Sequence, residues 1–157
     1  MSFEFQKNVG LYNKAAIAGD RANQNPTVYD VVNYLAGDTG VKMGGFAFTS
    51  NSAPETQIVS TGTSASVVKG FVERTMNING FTYDPASVTI PKGDNVTVAR
   101  KGDFFVESDG AVSIGDTVYA KEADGSVTFT SSNAVDTGFK AATSAAASGD
   151  LVIITNW

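Results

Sequence analysis

The chain contains no cysteine and no histidine. Without cysteine there is no disulfide framework, no thiolate nucleophile and no cysteine-ligated metal. Without histidine, the most common general base and the most common transition-metal ligand are also missing. These absences exclude most catalytic constellations. We therefore expect no catalytic residues, no metal site and no cofactor.

Charge is also scarce. Charged residues make up 17% of the 157 positions, below the roughly 25% of an average soluble domain. The net charge is −5 and the eleven basic residues are scattered, whereas nucleic-acid binding depends on clustered Lys and Arg. We expect no nucleic-acid partner, and a surface covered largely by Ser, Thr, Asn and Gly, as in all-β extracellular or particle proteins.

Long hydrophobic runs are missing as well. No apolar stretch approaches the ~20 residues of a membrane helix, so no membrane partner is expected. The opening stretch "MSFEFQKNVGLYNK" has no basic region followed by an apolar one, so no secretory signal is predicted. We expect synthesis and folding in a cytoplasm.

The residues that are present predict a mainly β fold. A chain of this length is near the size of one domain. From Phe81 onward, short alternating runs recur about every ten residues, which is typical of a sandwich or barrel. These runs are "FTYDPASVTIP", "DNVTVARKG", "DFFVES", "DTVYAKE", "GSVTFTS" and "DLVIITNW". The predicted fold class is an antiparallel β-sandwich or small β-barrel with an extended amino-terminal arm.

Gly-Asp pairs punctuate these runs. Glycine can adopt a positive φ, and an Asp side chain can hydrogen-bond the backbone two residues on. Each pair is therefore predicted to form a tight turn that begins the next strand. The pairs are Gly19-Asp20, Gly37-Asp38, Gly93-Asp94, Gly102-Asp103, Gly115-Asp116 and Gly149-Asp150.

The clearest local prediction is a hairpin from Asp116 to Thr130. Its Asp124-Gly125 pair suits a type I′ turn. Val118 and Ala120 would share one face and Tyr119 would lie on the other. Earlier in the chain, Gly44-Gly45 suggests a bulge or a close backbone approach.

Residues 26–36 leave helix and strand open. Val28, Val31, Val32 and Leu35 have helical spacing, and Asn25 and Pro26 suit a helix start. The stretch is also rich in β-branched and aromatic residues. One short helix is accordingly an alternative to strand here. The biased stretch "KAATSAAAS" is interpreted as strand followed by loop.

Clustered carboxylates invite a catalytic or calcium-binding interpretation. Asp103, Glu107 and Asp109 lie close in sequence, as do Glu122 and Asp124. They do not have the spacing of a twelve-residue calcium loop. They are interpreted as solvated turn residues, although a glycosidase pair would be compatible with the composition.

Apolar residues also stand out at both termini. Phe3, Phe5, Leu11 and Tyr12 occur in an amino-terminal stretch without a strong strand or helix pattern. Exposed apolar residues on an arm need cover, either from the protein's own core or from a partner; these alternatives are equally favoured. Trp157 is expected to plug the end of the last strand.

Six segments occur in a characteristic order. They are "AIAGDRANQNP", "YLAGDTGVKMGGFAF", "GFVERTMNINGFTY", "TIPKGDNVTVARKGDFFVES", "AVSIGDTVYAKEADGSVTF" and "SGDLVIITNW". In order and spacing they resemble the structural cement, or head decoration, proteins of tailed bacteriophages, over about the whole chain. The matching positions include Gly70-Phe71-Val72, Arg74, Gly102-Asp103-Phe104, Gly115-Asp116 and Val118-Tyr119-Ala120.

The resemblance implies a virion protein on the outer surface of the capsid that reinforces the shell. It implies an extended arm over residues 1–26 and a single β-rich domain over 27–157. The major capsid protein is the expected partner, with self-association as a trimer or dimer left open. The expected contact residues are Phe3, Phe5, Leu11, Tyr12, Asp20, Arg21, Asn25 and Pro26.

A second hypothesis is a receptor- or glycan-binding β module of a phage tail or fibre. Such modules present aromatic platforms to sugars, and Tyr29, Tyr34, Tyr83 and Trp157 are candidates for one. A copy number near that of the major capsid protein would exclude this alternative.

Overall fold

A computed structural model describes residues 16–51, 53–74 and 89–157 of the chain. All regular secondary structure in these ranges is β-strand. No membrane-spanning helix is present in these ranges. The strands are β1 (Val28–Tyr29), β2 (Tyr34–Ala36), β3 (Val41–Lys42), β4 (Gly45–Thr49), β5 (Gln57–Val59), β6 (Val68–Val72), β7 (Thr89–Ile90), β8 (Asn95–Val96), β9 (Ala99–Lys101), β10 (Asp103–Glu107), β11 (Thr117–Lys121), β12 (Val127–Thr128), β13 (Ala134–Ala141) and β14 (Leu151–Thr155).

The strands form three sheets. Seven strands follow the order β1-β9-β6-β4-β5-β2-β8, five follow β10-β14-β13-β11-β12, and β3 pairs with β7. The strand pairs are antiparallel except β2 with β5, which is parallel. The predicted mainly β fold is confirmed, with this parallel pair as a departure from a purely antiparallel sheet.

The seven-stranded sheet curls toward a small barrel that stays open, since its end strands β1 and β8 do not pair. β8 is the last strand of the order, yet only two residues separate it from β9, which is next to the first strand. The curled sheet encloses one core cluster. Its members are Tyr34, Ala36, Val41, Met43, Ala47, Ile58, Val72, Ile90, Val96 and Val98.

The outer face of β4 and β6 packs against the five-stranded sheet. Phe46 and Phe71 are cross-strand partners whose ring centroids lie 5.3 Å apart, edge to face. Phe71 stacks on Phe104 of β10 at 4.5 Å, and Phe46 meets Phe139 of β13 at 5.3 Å. All four side chains are buried. Successive residues of β4 and β6 therefore serve the barrel interior and this sandwich core alternately.

Four of the six predicted Gly-Asp turns form with a positive φ at the glycine: Gly19, Gly93, Gly115 and Gly149. Gly37 lacks a positive φ, and Gly102-Asp103 leads from β9 into β10 without a turn. Where the aspartate bonds the backbone of the turn, it bonds in the opposite direction from that predicted. Gly115 has φ +92, and Asp116 directly precedes β11. The Asp116 carboxylate accepts the N–H of Ser113, three residues back, at 2.8 Å. Asp20 and Asp150 likewise accept N–H groups three residues back. In these turns the aspartate therefore stabilises the turn that precedes it, and the next strand begins after it.

The predicted hairpin is present with a different loop. β11 pairs with β12 through Tyr119↔Thr128 and Ala120↔Val127. The loop is not a two-residue type I′ turn, because the N–H of Gly125 donates to the carbonyl of Lys121 at 2.9 Å. Gly125 has φ +68, and a Cβ there would lie 2.2 Å from the carbonyl oxygen of Phe46. Close packing against β4 selects this longer loop.

Residues 26–36 contain the two short strands β1 and β2, and the short-helix alternative is not realised. β1 pairs with β9 and β2 pairs with β5 and β8. Tyr34 and Ala36 point into the barrel, whereas Leu35 between them is exposed. The alternation of a strand replaces the helical spacing.

The Gly44-Gly45 pair makes the close approach that was predicted. Gly44 has φ +74, and a Cβ there would lie 3.3 Å from the carbonyl oxygen of Ala18. A Cβ at Gly45 would lie 2.7 Å from the carbonyl oxygen of Gly125. Backbone from two other parts of the chain therefore packs directly on this turn.

Candidate functional site

Residues 19–22 extend the five-stranded sheet beyond β10. The N–H of Gly19 donates to the carbonyl of Phe105 at 2.7 Å, and the N–H of Phe105 donates to the carbonyl of Asp20 at 2.9 Å. The N–H of Ala22 donates to the carbonyl of Asp103 at 2.8 Å. The segment therefore runs antiparallel along the edge of β10 and covers it.

Asp103 holds the next part of this segment. Its side chain is buried, and Oδ2 accepts hydrogen bonds from Nδ2 of Asn23 and Nδ2 of Asn25, each at 2.7 Å. Burial acts to raise the pKa of Asp103, but hydrogen bonds from Thr155, Asn25 and Asn23 outweigh it and lower the pKa. The interpretation of Asp103 as a solvated turn carboxylate is wrong: it is a buried anchor.

Arg21 joins the segment to two strands. Its guanidinium donates to the hydroxyl of Tyr29 at 2.7 Å and lies 3.4 Å from the carboxylate of Glu73. The Tyr29 hydroxyl donates to the same carboxylate at 2.5 Å. The Glu73 carboxylate raises the pKa of Arg21, and burial together with Glu73 raises the pKa of Tyr29. The guanidinium thus stays charged and the phenol neutral across the physiological range.

The carboxylates near the β11–β12 loop are engaged in structural bonds. Asp109 accepts from the hydroxyl of Thr128 at 2.6 Å, and Asp124 accepts from the backbone and hydroxyl of Ser126. Burial opposes ionisation of both groups. The hydrogen bonds and the neighbouring Lys121 and Lys42 nevertheless lower the pKa of Asp109 and Asp124 respectively. Both carboxylates are therefore held in the ionised form by bonds to the chain itself.

One cleft of about 280 Å³ lies between the five-stranded sheet and residues 42–44, and includes Glu107 and Asp109 in its lining. Lys42 and Lys121 also line it, which offsets the acidic charge. In residues 16–51, 53–74 and 89–157, no three acidic side chains are grouped as a metal ion would need.

The most distinctive surface feature is apolar and was not predicted. Along β1, β2 and the turn between them, five large hydrophobic side chains are exposed. Val31 is 96% exposed, which is almost complete. We call this set the β1–β2 apolar surface; it consists of Val28, Tyr29, Val31, Val32 and Leu35.

The carboxyl terminus lies beside the same surface. Trp157 is 60% exposed, so it does not plug the last strand. Its ring lies 5.3 Å from the Nζ of Lys101, which is the cross-strand partner of Val28. Trp157 therefore borders the β1–β2 apolar surface.

The aromatic platform proposed for a glycan-binding module is only partly available. Tyr34 is 2% exposed and its hydroxyl donates to Asp30 at 3.0 Å. The hydroxyl of Tyr29 is bonded to Glu73. Tyr83 lies outside the described residues. Tyr34 therefore cannot stack on a sugar.

The predicted contact residues fall into two groups. Phe3, Phe5, Leu11 and Tyr12 lie outside the described residues. Asp20, Arg21, Asn25 and Pro26 lie on the segment beside β10, where the first three bond to the chain itself. Whether any of the eight contacts a capsid protein stays a prediction.

Comparison with known proteins places the chain among phage structural proteins. The model of the XM1 gp53 minor capsid protein family matches residues 5–156. A solved structure titled "The capsid of Myoviridae Phage XM1" contains a chain with a TM-score of 0.65 and 18% identity, covering 98% of each chain. At that identity the structural likeness establishes the fold. No curated protein matches.

The family match covers nearly the whole sequence, including the segment beside β10 and both larger sheets. It agrees with the resemblance to phage head proteins that the order of the motifs indicates. The chain belongs to the XM1 gp53 minor capsid protein family.

Proposed function

We propose that this protein is a capsid cement protein that binds the outer surface of an assembled phage head and stabilises the shell. The observation that carries the proposal is the match of a minor capsid protein family over residues 5–156. A protein that binds the assembled shell and not the free subunits stabilises the shell by mass action. Many weak identical contacts over a lattice add up, so no single contact need be tight.

The proposed partners are the major capsid protein and a neighbouring cement subunit, reached through an arm over residues 1–26 that precedes the β-rich domain of residues 27–157. The hydrogen bonds from residues 19–25 to β10 and Asp103 support this separation into a contact arm and a domain that holds it. They anchor residues 19–25 to the domain, so a force on residues before Gly19 would be transmitted to the five-stranded sheet. The role proposed for the domain is non-catalytic, in a virion protein made in the host cytoplasm.

The first experiment is cryo-electron microscopy of the purified particle with gel densitometry of the same sample. The proposal expects density for this chain at regular positions on the outer face of the shell. It also expects a copy number comparable with that of the major capsid protein. A few copies confined to the tail would contradict the proposal and favour a receptor- or glycan-binding module.

A binding experiment tests the arm. Shells that lack this protein are mixed with the full chain or with a chain lacking residues 1–15, and co-sedimentation is measured. The deletion stops before Gly19 because a longer one would leave buried Asp103 without Asn23 and Asn25. Loss of binding with an unchanged circular dichroism spectrum is expected; equal binding by both chains would overturn the role of the arm.

A further inference from the structure

The β1–β2 apolar surface has no cover from the described part of the chain. Five large hydrophobic side chains within eight positions of the chain are exposed, and Val31 is 96% exposed. β1 is also the outermost strand of its sheet and contains only two residues. A short open edge beside exposed apolar side chains can accept one added strand from another chain.

We infer that this surface binds the amino-terminal segment, residues 1–15, of a second copy of this chain. That segment contains four large apolar side chains, Phe3, Phe5, Leu11 and Tyr12. They need cover of the kind that the surface offers, because grouped exposed apolar residues mark binding sites on soluble proteins. The inference refines the proposed function by naming a contact between cement subunits.

The direction of the chain favours a second copy over the same copy. The N–H of Ala22 bonds to Asp103, and the N–H of Gly19 bonds to Phe105. Followed from residue 22 back to residue 16, the chain therefore runs toward the Glu107 end of β10. Arg21 contacts Tyr29 near the other end. To reach its own surface, the segment would have to reverse and pass back over the domain.

The segment is long enough to reach a neighbour. Fifteen extended residues span about 50 Å. The body of a domain of this size is roughly 35–40 Å across. A segment leaving one subunit at the Glu107 end can therefore lie along the β1 edge of an adjacent subunit, which would in turn present its own segment to the next.

The test mixes two full-length variants. The segment variant carries Phe3→Asp and Phe5→Asp and retains the surface; the surface variant carries Val31→Asp and retains the segment. Val67→Asp is the matched control, since Val67 is 60% exposed elsewhere on the domain. Mass in solution is measured by sedimentation over a wide concentration range, against the 16.3 kDa of one chain.

The wild type and the Val67 control are expected to associate. Each of the other variants alone should associate at least about tenfold more weakly, because a carboxylate is placed in an apolar contact. An equimolar mixture of the two should regain association, because it restores one segment and one surface in different chains.

Three results would overturn the inference. A monomeric wild type would contradict association between copies. A segment variant that associates like the wild type would show that the domains associate without residues 1–15. A mixture that stays monomeric would show that the segment does not bind across chains. If shell binding by the wild type persists in any of these cases, the proposed cement function stands and only the contact between copies fails.

Discussion

The Nδ2 atom of Asn25 lies 2.7 Å from Oδ2 of Asp103, across 78 positions of the chain. The bond ties a surface segment to a carboxylate that is buried at the start of β10. Asn23 donates to the same oxygen. The Asp103 side chain therefore adds to the backbone hydrogen bonds that attach residues 19–22 to β10.

Replacing Asp103 with Ala should lower the free energy of unfolding by about 2–3 kcal/mol, because the two amide donors lose a charged acceptor in a part-buried site. Urea denaturation measures this difference. Glu107→Ala is the matched control, since Glu107 is on the same strand and exposed, and it should change stability by less than about 0.5 kcal/mol. Equal effects of the two changes would show that Asp103 is not an anchor.

Stability should fall on acidification. The pKa values of Asp103, Asp109 and Asp124 are lowered from an ordinary value of 3.8. A carboxylate with a lowered pKa in the folded state contributes stability that is complete above the unfolded pKa and is lost as the pH falls through the folded one. The urea midpoint should hold between pH 7 and 5 and drop below about pH 4.

Asp103→Asn provides the control for this pH dependence. It removes one of the three titrating groups, so the variant should lose less stability between pH 5 and pH 3 than the wild type does. Identical losses would mean that Asp103 does not contribute to the acid transition.

The sandwich core should depend on Phe71. Its side chain is fully buried and stacks on Phe104 with centroids 4.5 Å apart. Phe71→Ala should cost about 3–5 kcal/mol of stability, from lost burial and the cavity left behind. Val67→Ala, at a nearby exposed position, should cost less than about 0.5 kcal/mol. Thermal unfolding of both variants decides whether the ring contacts hold the two sheets together.

The turn before β11 should require glycine at position 115. Gly115 has φ +92, and a Cβ there would meet nothing within 4 Å. The effect of Gly115→Ala is therefore one of backbone strain without a clash, which should cost about 1–2 kcal/mol. Gly110 is equally open but lacks the positive φ, so Gly110→Ala should be near neutral or slightly stabilising. A neutral Gly115→Ala would contradict the strain argument.

Local chemistry explains which elements could be predicted from sequence. β10, β11 and β14 follow alternating runs introduced by Gly-Asp, and the structure places strands there. β13 is the longest described strand. Only its end, from Lys140 onward, was predicted to be strand. Asp136 and Gly138 interrupt its pattern, and Gly138 has φ +76. Pairing with β11 and β14 on either side maintains the strand.

The candidate site divides in the same way. The amino-terminal segment could be singled out by its motifs and apolar residues. The roles of Asp103 and Arg21 could not, because their partners are distant in the chain. The β1–β2 apolar surface was missed because the pattern of residues 26–36 left helix and strand open, and the exposed face differs between the two.

The amino-acid sequence alone specifies the mainly β class of fold, four of the Gly-Asp turns and the absence of cysteine and histidine chemistry. These depend on residue type and on neighbours a few positions away. Only the tertiary structure decided that the seven-stranded sheet curls on itself, that Asp103 is buried, and that Val31 is left exposed. Burial is set by which distant strands pack together, and no local pattern contains that information.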